Sequence, residues 1–413
     1  MLEVLRHRTF RRLFTAQIVA LVGTGLLTVA LGLLAYDLAG SNAGAVLGTA
    51  LAIKMVAYVA VAPIISAVTD RVPRRALLVS ADAVRALIAL TLPFVDQTWQ
   101  IYVLIFLLQA ASATFTPAFQ SVIPSVLVKE EDYTRALSLS RLAYDLESLL
   151  SPILAAALLT VISYHSLFLG TVVGFTASGV LVVRTVLPRL GAADRIVPLL
   201  RRITLGGRVM LASPVLRGLL VLNVVVAAAT GLVVVNTVVY VRDLLGGSNT
   251  GVALALGFYG GGSMLVALCV PRLLTQVSNR RLMLTGSVLV PIGLAAASLM
   301  LFIAPPRGIG WAMLAVVWVA LGAGTSMINT PSARLLRDGS TPDNRGAVFT
   351  AQFSLSHACF LLTYPVAGWL GATTSQFTAA AALTVLATLA AVVAARAWPV
   401  TTAPTAEAVP VGR

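Results

Sequence analysis

Runs of about twenty mostly uncharged apolar residues recur along the whole chain, and no other feature restricts its fold so strongly. A helix of about 20 such residues crosses the hydrocarbon core of a bilayer. In lipid every backbone N–H and C=O must be satisfied within the structure itself, so repeated runs of this length specify helices. Twelve spans fit: 13–37, 44–66, 76–95, 99–118, 136–159, 165–187, 217–240, 250–270, 282–303, 309–329, 346–370 and 374–397. Composition agrees. Mean hydropathy is +0.94, and 11% of residues are charged, far below the roughly 25% of soluble domains.

The formal charge of +14 suggests nucleic acid, but the placement of the basic residues argues against that partner. They sit in short clusters between the apolar runs, as bilayer topology requires. Arg6, Arg8, Arg11 and Arg12 precede span 1, and Arg71, Arg74 and Arg75 follow span 2. Arg189, Arg195, Arg201, Arg202 and Arg208 separate spans 6 and 7. Arg280 and Arg281 follow span 8, and Arg334 and Arg337 follow span 10. The opposite loops hold little beyond Arg242 and Arg307, so the positive-inside rule places both termini in the cytoplasm. Of the 29 basic residues only Lys54 and Lys129 are lysines, a compositional bias without mechanistic weight. The two cysteines, Cys269 and Cys359, lie in apolar segments and suggest no disulfide framework. A cleavable signal peptide is not expected, because the first apolar run is too long and no small-residue cleavage site follows it.

The chain divides into two halves. Residues 1–187 form an N-terminal six-helix bundle, 188–216 a basic linker, 217–398 a second bundle, and 399–413 a Pro/Ala/Thr-rich disordered tail. A weak repeat relates the halves. Thr116-Pro117-Ala118 matches Thr330-Pro331-Ser332, and Pro152 and Pro365 follow those prolines at nearly equal distances. Arg74-Arg75 matches Arg280-Arg281. The fold class is therefore an all-α membrane protein with two pseudo-symmetric six-helix bundles and a site between them.

Ser66-Ala67-Val68-Thr69-Asp70-Arg71-Val72-Pro73-Arg74-Arg75 resembles the 2–3 loop signature of the major facilitator superfamily, with Ser66 and Pro73 where glycines are usual. Pro117 to Pro124, followed by Lys129-Glu130-Glu131-Asp132 and Arg135 to Ser138, resembles the branch holding the enterobactin exporter, macrolide efflux pumps and nickel-resistance exporters. The stretch Arg141–Pro152 is most similar to the nickel exporters, although the tail lacks the histidines they often carry. The resemblance implies export, gating by Asp70, Arg71 and Arg74, and cavity-lining roles for spans 1, 4, 7 and 10.

Span 5 carries the richest polar pattern. Thr134, Ser138, Arg141, Asp145, Ser148 and Pro152 form one stripe, and Ser140, Tyr144, Glu147 and Ser151 form another. Asp145 and Glu147 stand about 160° apart around the helix, so one faces the cavity when the other faces neighbouring helices. Intramembrane acids are costly and mark function or pairing. Both are candidates for proton coupling with Arg141, against the plainer reading of a structural Arg141–Asp145 pair. Asp82 and Arg85 read as an ion pair near the cytoplasmic gate. Lys54, mid-span with Tyr58 one turn on, needs a buried acid that the sequence does not name.

Gln17, Lys54, Gln109, Asn223, Trp318 and His357 are substrate-binding candidates, against a reading of interhelical glue. With three histidines in the chain, His357 reads first as a hydrogen-bonded bundle histidine, and no resident metal or other cofactor is expected. The chain has no Walker motif and no nucleophile set, so neither ATP-driven pumping nor enzymatic activity is indicated. The expectation is a monomeric, proton-driven exporter of a small toxic solute such as an amphiphilic drug or siderophore-like compound. Export of nickel or cobalt is one alternative. A lipid flippase or non-transporting sensor is the alternative of another class, with Lys54 and Arg85 suited to a headgroup.

Overall fold

The computed structural model describes residues 2–61, 73–127, 129–185, 187, 199–341 and 344–398. Among them the chain is helical and contains no strand. The main helices are α1 (Arg8–Ala39), α2 (Ala43–Val56), α3 (Arg74–Thr91), α4 (Thr98–Val126), α5 (Glu130–Leu158), α6 (Tyr164–Val183) and α7 (Leu199–Ala212). The second half contains α8 (Pro214–Val239), α9 (Asn249–Leu273), α10 (Asn279–Ile303), α11 (Arg307–Asp338), α12 (Arg345–Pro365) and α13 (Gln376–Ala397). Helices α1 to α6 are spans 1 to 6, and α8 to α13 are spans 7 to 12. Nine helical stretches among the described residues are long and apolar enough to cross a membrane, the first of them, Arg8–Ala60, covering both α1 and α2. Helices α5 and α12 are not among the nine, and they carry Glu147 and His357.

Local chemistry starts several spans. The hydroxyls of Ser213, Ser248, Ser278 and Ser375 accept hydrogen bonds from the backbone N–H groups of Leu216, Gly251, Arg281 and Thr378, satisfying N-terminal donors of α8, α9, α10 and α13. Gln97 and Gln100 form a reciprocal cap at α4. The outward faces are apolar. Phe94 is 82% exposed and Val316 69%, a cost in water that lipid removes.

The linker contains more structure than its basic character implies. Residues 199–212 form α7, which packs on α12, with Gly206 against Ala347. Its apolar positions share one side, and Met210 is fully buried.

Each half packs internally, α1 on α6 and α3 on α6 in the first, α9 and α10 on α11 in the second. The halves meet where α2 packs on α12 and α8, and where α5 packs on α9. The α2–α12 contact depends on glycines at the end of the bundle away from the termini. A Cβ on Gly48 would lie 2.6 Å from the Tyr364 carbonyl oxygen, and one on Gly368 would strike the backbone of Gly44. Spans 2, 7 and 11 each contain a π-helical turn, at Ala57–Val61, Tyr240–Leu244 and Val366–Leu370. Such turns are single-turn bulges that occur often at functional sites.

Candidate functional site

Lys54 lies on α2 within the bundle, and the acid it requires is Glu147 on α5. The two attract each other across the interior of the first half. Gly25 makes room for that carboxylate, since a Cβ there would stand 2.7 Å from Glu147 Oε1 and collide with Ser151. One turn beyond Lys54, Tyr58 holds its ring 5.8 Å from the Lys54 ammonium. Tyr58 also feels the charges of Glu147 and Arg85.

The second half meets this group through an aromatic ladder on α12. Phe353, His357, Phe360 and Tyr364 follow at i, i+4, i+7 and i+11, one face of a helix. Ring centroids are 4.1 Å apart for Phe353–His357, 6.2 Å for His357–Phe360 and 5.0 Å for Phe360–Tyr364. Tyr58 crosses between the halves, 5.4 Å from His357 and 6.0 Å from Phe353. His357 Nδ1 is 2.7 Å from the Phe353 carbonyl oxygen. That contact makes Nδ1 the donor to the carbonyl.

A small cavity of about 20 Å³ adjoins Lys54. Thr24 and Thr28 from α1, Gln109 from α4 and Val234 from α8 share its wall. Both threonine hydroxyls donate to carbonyls of their own helix, at 3.0 Å each.

Asp82 and Arg85 pair with one another on α3, both buried. The guanidinium is sandwiched between Phe115 and Phe175, 4.3 and 4.5 Å from their centroids. It also feels Tyr58 and Tyr144, so the pair borders the central group from inside the first half.

Other candidates are placed differently. Gln17 is buried and accepts a hydrogen bond from Ser140 at 3.1 Å. Asn223 and Gln352 exchange amide hydrogen bonds at 3.3 and 3.1 Å, joining α8 to α12 inside the second half. Trp318 is fully buried, donating from Nε1 to Thr237 at 2.9 Å with Tyr240 edge-on at 5.9 Å. In this conformation the three side chains are engaged in bonds between helices. Asp70 and Arg71 lie outside the described residues, as do the side chains of Arg141 and Asp145, whose backbone belongs to α5. Arg74 begins α3. Among the described residues no three of His, Cys, Asp and Glu gather as metal ligands would.

A second cluster lies at the far end of the bundle. The Tyr36 hydroxyl on α1 donates to the Asp243 carboxylate on the π-helical turn after α8. The Arg242 guanidinium sits 5.1 Å from the Tyr36 ring and donates to Asn249 at 2.8 Å. The Trp369 indole donates to the Thr49 hydroxyl at 2.9 Å, a second polar link between the halves. Sequence reasoning missed this latch, and it missed the ladder residues Phe353 and Phe360. The ladder's 4-3-4 aromatic spacing was a usable signal, whereas nothing in the sequence pairs Tyr36 with Asp243.

The family model described as Major Facilitator Superfamily matches residues 13–306 and 219–412. Macrolide efflux protein A of Streptococcus pyogenes is 26% identical over 192 residues, which are 45% of this chain and 46% of that protein. Multidrug resistance protein MdtG of Citrobacter koseri is 28% identical over 158 residues, 38% of this chain and 39% of that protein. The chain thus spans less than half the length of these curated relatives. Among solved structures, a POT family transporter in complex with 5-aminolevulinic acid aligns with TM-score 0.73 at 12% identity, covering 94% of this chain and 95% of that one. A D-xylose–proton symporter aligns with TM-score 0.68 at 12% identity, covering 95% and 97%. At these identities the structural likeness speaks for the fold alone.

Proposed function

The chain belongs to the Major Facilitator Superfamily, and from that premise we propose that it is a secondary active exporter of amphiphilic organic compounds, driven by proton antiport through Glu147. The observation that carries this reading is the half-buried Glu147–Lys54 couple, set beside the aromatic ladder contributed by the other half. A coupling group must bind its proton differently in two states, and a carboxylate does so when a neighbouring cation moves relative to it. The ladder supplies the apolar wall that an amphiphile needs. Macrolide and multidrug efflux among the relatives support an organic solute.

In this reading the arginine-rich end faces the cytoplasm of a bacterial-type inner membrane. The two bundles, 1–187 and 217–398, rock about a central site. The loop residues Asp70, Arg71 and Arg74 bias the gate, and Asp145 with Arg141 is the alternative coupling pair on the same helix.

The test is a resistance panel of macrolides, other lipophilic drugs, siderophores, nickel and cobalt in a host lacking its own pumps. Expression should raise tolerance to at least one class of organic compound, and a protonophore should abolish intracellular exclusion of that compound. Tolerance to nickel or cobalt alone would replace the organic reading with the metal reading.

A further inference from the structure

The proton step leaves Gln109 unused, and its surroundings are unusual. Gln109 is 5% exposed, and among the described residues neither it nor Lys54 makes a hydrogen bond to protein. Both border the same cavity of about 20 Å³, room for one atom-sized occupant. The rest of the wall is aliphatic apart from Thr24 and Thr28, whose hydroxyl hydrogens already serve helix carbonyls. Among the described residues no carboxylate lines it. The free donors are therefore an ammonium and an amide N–H, and the ammonium's charge disfavours a cation and suits an anion.

Charge adds a second argument. With Glu147 ionised, Lys54 has a counter-charge. When Glu147 accepts a proton, the ammonium is left without one in a medium where uncompensated charge is expensive. Among the described residues the other titratable groups facing the couple are Tyr58 on the π-helical turn after α2, the Asp82–Arg85 pair on α3, Tyr144 on α5 and His357 on α12, and none offers Lys54 a new negative partner.

We propose that the cavity between Lys54 and Gln109 binds a small inorganic anion of chloride size, and that it does so as Glu147 takes up its proton. The pH linkage rests on the coupling reading given above, whereas the site itself rests on the cavity. Proton and anion enter together as a neutral pair. By linkage, each raises the affinity for the other by the same factor.

Chloride and bromide serve as probes, with gluconate, too large for the cavity, as the control at equal ionic strength. Thermal unfolding of the purified full-length protein is followed in each salt at acidic and alkaline pH. Chloride and bromide should raise Tm by about 2–4 °C over gluconate as the site saturates, more at acidic pH. Gln109→Leu and Lys54→Met should remove the difference, and Glu147→Gln should retain it at both pH values. Equal Tm in chloride and gluconate for the unmodified protein means a water only and overturns the site. An anion effect that survives Gln109→Leu places the anion elsewhere and also overturns it. If Lys54→Met does not fold, the unmodified protein and Gln109→Leu still decide. The measurement needs no transported solute, so failure of the export reading in the resistance panel leaves it intact.

Discussion

Arg85 shows how one residue can be costly and still structural. Its guanidinium lies between two phenyl rings and pairs with Asp82, yet among the described residues its Nε and Asp82 Oδ2 have no hydrogen-bond partner. Truncation to alanine leaves a buried carboxylate alone and empties the space between the rings. Arg85→Ala should therefore lower stability by about 3–5 kcal/mol, the cost of breaking a buried pair. Asp82→Asn/Arg85→Met, which removes both charges, should recover most of it. Unfolding midpoints in detergent measure both, and a single mutant as stable as the parent would sink this reading. The pair was legible in the sequence, because i, i+3 spacing on one helix settles who meets whom. Lys54 was legible only in part, since its need for an acid follows from burial, but the choice of Glu147 follows from how α5 packs against α1 at Gly25.

At the scale of elements, the halves close at the far end through three kinds of contact: glycine backbone between spans 2 and 11, the Trp369–Thr49 bond between the same spans, and the Tyr36–Asp243–Arg242 latch between α1 and the turn after α8. Two of these are polar and reversible, and they cross between halves that must separate if the site is to open there. Tyr36→Phe deletes the hydroxyl and keeps the ring under Arg242. It should shift the population toward far-end opening by about tenfold, the worth of one hydrogen bond to a charged group. Gly368→Val should act more strongly, because its side chain would strike the backbone of Gly44. Distances between spin labels at the far ends of α1 and α8 report both, and unchanged distributions would remove the latch from the gate. The helices themselves were read correctly from apolar period and length. The partners across the halves were not, because a helix carries no mark of which neighbour covers each face, and the helical part of the linker was hidden by its arginines.

For the whole molecule, two bundles and twelve spans were legible from alternating charge and a proline repeat, since lipid permits few alternatives to helices. Coupling was not legible to the same degree, because Asp145 and Glu147 are two residues apart and the sequence leaves open which one faces the cavity. The proton reading makes a prediction that only the intact cycle can reveal. In Glu147→Gln the amide imitates the protonated acid permanently, so the carrier can rock but cannot release a proton. Uphill export driven by a pH gradient in vesicles should fall to background. Downhill exchange of a drug identified in the resistance panel should persist, which separates loss of coupling from loss of folding. Asp145→Asn is the comparison on the opposite side of the same helix. If Glu147→Gln still concentrates the drug and Asp145→Asn does not, coupling belongs to Asp145 with Arg141, and Glu147 serves only to neutralise Lys54. If both pump normally, span 5 does not carry the proton, and His357, which meets Tyr58 across the halves, is the next group to substitute.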